Sequence, residues 1–198
     1  MASAKPFIIG LTGAMGMGKT TTAHLFAEEG VPVFDADQAV HDIYANPVAL
    51  QRDIEALFPG SVVEGSISRG RIAAQMTPEK LEQLEALIHP LVLHMREQFV
   101  EAHAAAPILV FDIPLLLETG ARVDAVVVAS APAHVQKQRV LARPGMDEGK
   151  FAALSARQLS DAQKRQQAHY VVMTDRGLDH AREQVKMILA DIRAKRSA

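Results

Sequence analysis

The 198-residue sequence predicts an α/β fold whose parallel sheet is covered by helices on both faces. Three observations carry that expectation. Short, almost wholly apolar runs alternate with helical patterns, as strands buried on both faces do. A glycine-rich turn joins the first run to the first helix. Residues 38–105, between the second and third runs, far exceed the roughly dozen residues that a plain crossover needs.

In chain order, "FIIGL" (7–11), bounded by Pro6 and Gly13, reads as a buried strand. Residues 18–29 carry a helical pattern with Ala23, Phe26 and Ala27 on one side, stopped by Gly30. "VPVFDAD" (31–37), "APILVFDIP" (106–114), "DAVVVAS" (124–130) and "HYVVMTD" (169–175) supply four more strands. The long interval reads as helices over 38–45, 47–57, 68–76, 78–87 and 90–104, with Pro47, Pro78 and Pro90 as first-turn residues. "FPGSVVEGSIS" (58–68) is a turn-rich break among them. The excess reads as a helical lobe (38–105) inserted in a single domain spanning 1–198. A last helix from Leu178 to about Ala194 aligns Leu178, Ala181, Val185, Ile188, Leu189 and Ile192 on one stripe.

Composition narrows the function. Apolar residues make up 48% and charged residues 22%, as in ordinary globular chains. The formal charge of −2 argues against a nucleic-acid partner. Cysteine is absent, which excludes disulfides, thiol nucleophiles and cysteine-held metals. No apolar run is long enough for a membrane span, and the N-terminal one is too short for a signal peptide. A reducing, cytoplasmic setting is expected.

The chemistry begins at Gly13-Ala14-Met15-Gly16-Met17-Gly18-Lys19-Thr20, a glycine, four residues, then Gly-Lys-Thr. It follows a strand and opens a helix, the context such a loop requires. Glycines allow the backbone to aim its N–H groups inward, and the positive helix end adds to that field. Lys19 is placed to bridge the terminal phosphates of a nucleoside triphosphate, and the Thr20 hydroxyl to ligate Mg²⁺. ATP and Mg²⁺ are therefore expected, with Thr21 at the edge of the cradle.

This loop serves many trades. A guanine-reading Asn-Lys-x-Asp motif cannot exist, because the single asparagine, Asn46, precedes Pro47. No aspartate is followed by glycine three residues on, which removes the usual γ-phosphate switch. A small phosphotransferase remains. Asp35 and Asp37 end the second strand, where α/β sheets bind ligands. Asp37 can take the acceptor's proton or orient its hydroxyl, whereas Asp35 also reads as a helix cap. Asp112 ends the third strand and can act through metal-bound water or on the acceptor, and Glu118 reads as structural. Arg139 and Arg143, four residues apart, share one face of a helix. With Arg157, Lys164 and Arg165 they suggest a cationic lid over 136–165, and a solvated basic face is an equal reading for Arg139, Lys164 and Arg165.

The ordered set "IGLTGAMGMGKTT", "GVPVFDAD", "IHPLV", "DIPLLLETG", "VVVASAPAHVQKQRVLARPGM" and "ARQLSDAQKRQQAHYVV" resembles the dephospho-CoA kinases over roughly residues 7–190. The resemblance implies a P-loop kinase sheet of order 2-3-1-4-5, and transfer of the γ-phosphoryl group of ATP to the ribose 3′-hydroxyl of dephospho-CoA. It implies Asp37 as base or orienter, with Lys19 and Arg143 on the moving charge. Arg143 also counts toward ATP, and His89, Pro90, Asp112 and Arg157 toward the acceptor. It gives the inserted lobe a purpose, as the trough for a long acceptor. A monomer or weak homo-oligomer is expected. The chain departs from the family pattern at Met17, Thr20, Leu117, His169 and "TDRG" (174–177). Another nucleotide or small-molecule kinase of the same fold is the alternative.

Overall fold

The computed structural model describes residues 5–45, 50–156 and 158–197. Five parallel strands form the main sheet: β1 (Phe7–Thr12), β2 (Val33–Asp35), β5 (Ile108–Asp112), β6 (Ala125–Ser130) and β7 (Tyr170–Met173), in the order β2-β5-β1-β6-β7. Counting sheet strands alone, that is the expected 2-3-1-4-5. β1 is central, pairing with β5 from Phe7↔Ile108 to Leu11↔Asp112 and with β6 from Ile9↔Ala125 to Thr12↔Val128. The strand alternation divides the core. Ile9, Leu11, Val110 and Val127 face one way, onto Leu25 and Phe26 of α1 (Lys19–Glu28) and Val185, Leu189 and Ile192 of α10 (Leu178–Ser197). Val126 and Val128 face the other, onto Leu116 of α6 (Leu116–Thr119).

The chain separates into two compact units, Met1–Phe34 with His103–Ala198, and Asp35–Ala102. The second, the lobe, holds α2 (Ala36–Ala45), α3 (Gln51–Leu57), β3 (Val62–Val63), β4 (Ser66–Ile67), α4 (Arg69–Ala74) and α5 (Pro78–Ala102). Its core is a separate apolar cluster around Ile43, Leu50, Ile54, Phe58, Ile72, Leu84 and Ile88.

Several sequence expectations need correction. The helices expected over 78–87 and 90–104 are one, α5, with Pro90 inside it. Proline lacks the N–H that the carbonyl of Ala86 would receive, which usually ends a helix. Here Leu84, Leu87, Ile88, Leu91, Val92 and Met95 recur at helical spacing on both sides of Pro90 and pack into the lobe core, so burial carries the helix through. The break at 58–68 contains a hairpin, β3–β4, turned by Glu64 (φ 48°) and Gly65 (φ 77°), both left-handed as a two-residue hairpin turn demands. The second strand stops at Asp35 rather than Asp37, because Asp35 caps α2, its carboxylate accepting the N–H of Gln38 at 3.0 Å. Pro47 lies outside the described residues, and α3 is described from Gln51. Among the described residues no helix is long and apolar enough to cross a membrane.

Candidate active site

The phosphate loop runs from the end of β1 into α1. Gly16 and Gly18 have φ of 81° and 87°, values a side chain resists, so their glycines are structural necessities of the loop. Gly18 sits at the N-cap of α1 and offers no side chain to the first helical N–H groups. Those donors, with the helix dipole behind them, form a ready anion site. Thr20 and Thr21 are exposed on the first turn.

Lys19 does not point into empty space. Its Nζ donates to Oδ1 of Asp112 at 2.6 Å, where the carboxylate side chain is 3% exposed. The buried acid thus holds the cation over the loop. Arg139, read from the sequence as a lid arginine, is committed elsewhere. On α7 (Ala133–Leu141), it donates to the carbonyl of Thr174 at 2.7 Å and to the Thr174 hydroxyl at 2.9 Å. The same hydroxyl donates to the Met17 carbonyl at 2.8 Å. Arg139 therefore welds the loop to the segment after β7. Arg143 does not share a helix face with it. Helix α7 ends at Leu141, and Arg143 is exposed in the following turn, its N–H on the Val140 carbonyl at 3.0 Å. The Arg143-Pro144-Gly145 sequence accounts for the early stop, since a residue before proline avoids helical geometry. Arg157 lies outside the described residues.

Lys164 departs most from its sequence reading. Read from the sequence as either a lid cation or part of a solvated basic face, it is fully buried on α9 (Asp161–Gln166). Its ammonium donates to both Glu118 oxygens at 2.8 and 3.0 Å and to the Pro114 carbonyl at 3.3 Å. Thr12, the residue before the loop, donates its hydroxyl to the same carbonyl at 2.9 Å. Burial pushes the Glu118 carboxyl upward, but the Lys164 ammonium and the Leu159 N–H more than reverse this and hold it below its ordinary value. No pattern in the sequence marks Lys164. Only its pairing with Glu118, 46 residues away in sequence, singles it out.

In the lobe, Asp37 is exposed in the first turn of α2. With Asp35, it lines a cavity of about 580 Å³ whose floor includes Val40, Ile72, Met76 and Leu84. Arg69, which the sequence reading passed over, lines it too. Its guanidinium lies 4.9 Å from the Tyr44 ring centre and 3.1 Å from Nδ1 of His41. A stacked guanidinium over an apolar floor can hold an anion beside a flat or aliphatic group. The signal was the serine cap of α4 with Arg69 next to it, on the rim of an apolar stripe. His89 and Pro90 are exposed on α5 and do not line this cavity.

The departures noted in the sequence are accommodated. Met17 is buried, its Sδ accepting the Ala131 N–H at 3.2 Å. The Val126 N–H donates to Nδ1 of His169 at 3.1 Å, so an imidazole nitrogen serves as the acceptor at a position expected to be acidic.

Comparison with known proteins gives a consistent result. The dephospho-CoA kinase family model matches residues 7–180. A dephospho-CoA kinase of Mesorhizobium japonicum is 48% identical over 197 residues, covering 96% of this chain and 99% of the relative. The crystal structure of TT1252 from Thermus thermophilus superposes with a TM-score of 0.83 at 32% identity, covering 95% of this chain and 98% of its own. The dephospho-CoA kinase from Campylobacter jejuni shares the fold with a TM-score of 0.66 at 18% identity, covering 96% and 98% of the two chains.

Proposed function

The chain belongs to the dephospho-CoA kinase family, and on that premise we propose how its own residues carry the reaction. It catalyses ATP-dependent phosphorylation of dephospho-CoA at the ribose 3′-hydroxyl, giving coenzyme A and ADP. The observation that carries the residue assignment is the Lys19–Asp112 pair at 2.6 Å, above a glycine loop whose helix is left uncapped.

In this reading the loop of residues 13–20 cradles the β- and γ-phosphates through N–H groups other than those of Met15 and Met17, which bond within the protein, and Thr21 borders them. Lys19 transfers from Asp112 to the triphosphate, where its charge follows the moving phosphoryl group. The acceptor oxygen bonds to the γ-phosphorus as the bond to the β–γ bridging oxygen breaks, and ADP leaves. Asp37 orients the 3′-hydroxyl and receives its proton. Arg143, unengaged by any α7 neighbour beyond its backbone turn, supplies further positive charge from a lid over 136–165. Arg157 belongs to the same basic segment. Arg69 takes the pyrophosphate of the acceptor, with the apolar floor of the cavity beneath the rest. Asp112, His89 and Pro90 serve the acceptor side in the same reading.

The residues fit Mg²⁺, which keeps several waters and needs only one or two protein oxygens beside the phosphates. The exposed Thr20 hydroxyl would supply one, and Asp112 would hold a metal-bound water. When bound, the ion neutralises charge developing on the β–γ bridge. The absence of cysteine suits the cytoplasmic setting that belongs to this reading.

Asp37→Asn tests the central role. ATP binding, followed by calorimetry, stays within about twofold, whereas turnover falls on the order of 10²–10⁴-fold, as for loss of a general base. Parallel loss of both instead makes Asp37 a structural or metal-side residue.

A further inference from the structure

Met15 is held through both of its backbone polar groups. Its N–H donates to Oε1 of Gln158 at 3.3 Å, and its carbonyl accepts from Nε2 of Gln136 at 2.8 Å. Gln136 lies on α7, and Gln158 lies between α8 (Glu148–Ser155) and α9. Both legs of the basic helical segment therefore end on one residue in the middle of the phosphate loop.

What places Gln158 is the buried ion pair. Glu118 accepts the N–H of Leu159 at 2.9 Å through the same oxygen that receives Lys164. Lys164 is itself anchored to the Pro114 carbonyl, with Thr12 Oγ1 at 3.5 Å. The chain just after Gln158 is thus referenced to the end of β1, where the loop begins. A buried ammonium is costly unless its partners are well placed, so this arrangement has little freedom to slide. The α9 capping box holds the other end, with Gln163 and Ser160 satisfying each other's donors.

We propose that Gln158 is a positioning residue for phosphoryl transfer, that it sets the Met15 turn of the phosphate loop, and that the Glu118–Lys164 pair acts through it. Met15 lies in a turn closed by the Met17 N–H on the Ala14 carbonyl at 3.1 Å, which leaves the N–H and carbonyl of Met15 itself to be held by side chains. Gln136 holds the Met15–Gly16 peptide unit through its carbonyl. Gln158 holds the preceding Ala14–Met15 unit through its N–H, so both units flanking the Met15 Cα are fixed by side chains. A loop held in its binding shape before nucleotide arrives loses less freedom on binding and aims its remaining donors correctly.

The inference rests on reading residues 13–20 as the nucleotide cradle, and the experiment separates the two. Amide exchange at Met15 is followed by NMR in full-length, nucleotide-free enzyme. Gln158→Met keeps the volume of this half-buried side chain and removes the acceptor. Met15 exchange then quickens about tenfold, the loss of one modest hydrogen bond, and kcat/KM for ATP falls by a similar factor. The melting temperature and KM for dephospho-CoA stay put. The paired exchange Glu118→Leu with Lys164→Met removes the ion pair without stranding a charge, and it produces the same two changes. The triple variant falls no further than Gln158→Met, because the pair acts through that residue. Unchanged Met15 exchange in Gln158→Met, unchanged kcat/KM despite faster exchange, or a triple variant showing the product of the separate losses each overturns the proposal. If the paired exchange does not fold, Gln158→Met carries the test alone. An error in the cradle reading shows elsewhere, as wild-type turnover in Lys19→Ala.

Discussion

The sheet body and the lobe are stabilised by different means. In the body, charges are buried and cross long stretches of chain. Lys164 meets Glu118, Lys19 meets Asp112, and Arg139 ties Met17 to Thr174 through the threonine hydroxyl. In the lobe, an apolar cluster lies inside and polar contacts lie outside it, as where the Glu55 carboxylate accepts from the N–H groups of Val62 and Gly60 and exposed Arg69 meets His41. A polyanion demands donors fixed before it arrives, since every donor that must reorient weakens the field it supplies. A long, partly apolar acceptor demands surface and shape, which a cluster of aliphatic side chains around an open cavity supplies. On the proposed assignment of the triphosphate to the body and the acceptor to the lobe, each unit uses the kind of bond its ligand demands.

If that contrast holds, the two units break differently. The largest effect is expected at Lys19. Lys19→Ala lowers turnover on the order of 10³-fold by removing a charge that acts on the transition state. Its melting temperature falls as well, because Asp112 is left buried without that ammonium. Steady-state kinetics and calorimetry on the same sample check both halves. Next comes the lobe core. Phe58 is fully buried there, and Phe58→Ala costs about 3–5 kcal/mol of stability. In denaturant the lobe is expected to open first, with loss of activity preceding loss of the sheet signal. A single coincident transition instead shows that the units fold as one.

How much of this was legible in advance follows the same division. The strands were readable because a sheet covered on both faces needs unbroken apolar runs. The phosphate loop was readable because its glycines have no substitute at left-handed φ. The lobe was harder. Pro90 marks a boundary by local rules, but Leu84, Ile88 and Leu91 are buried at helical spacing across it, and packing outweighs one lost hydrogen bond. The Glu64–Gly65 turn hid within a stretch too short in apolar residues to signal strands. In the body, the misread residues were the cations. Lys164 and Arg139 look like any basic helix face, and only the tertiary fold brings Glu118 and Thr174 to them. Gln158 carried no signal at all, because a lone amide has no charge or period to betray it. Side chains whose partners are distant in sequence were the ones missed.

A smaller effect probes the cavity. Arg69→Met raises KM for dephospho-CoA about tenfold, the worth of one charge-assisted hydrogen bond, and leaves KM for ATP unchanged. The methionine still covers the Tyr44 ring, so stability is retained. Equal increases in both Michaelis constants indicate instead that the lobe as a whole has been disturbed.

The smallest effect concerns the slope of stability with pH. The folded state holds the Glu118 carboxyl below its ordinary value, against its burial, through Lys164 and the Leu159 N–H. A carboxylate with a depressed folded value stabilises the protein above its unfolded pKa, and that contribution fades as the pH falls through the folded one. Wild-type protein therefore loses this contribution on going from neutral pH into the range below ordinary carboxylate values. Glu118→Gln, which has no carboxyl to protonate, starts less stable at neutral pH and loses less on acidification. The gap between the two denaturation midpoints narrows as the pH falls. A gap that stays constant from pH 7 downward means the Lys164 contact adds nothing beyond a neutral hydrogen bond, and the contrast between a body held by buried charge and a lobe held by apolar packing loses its best case.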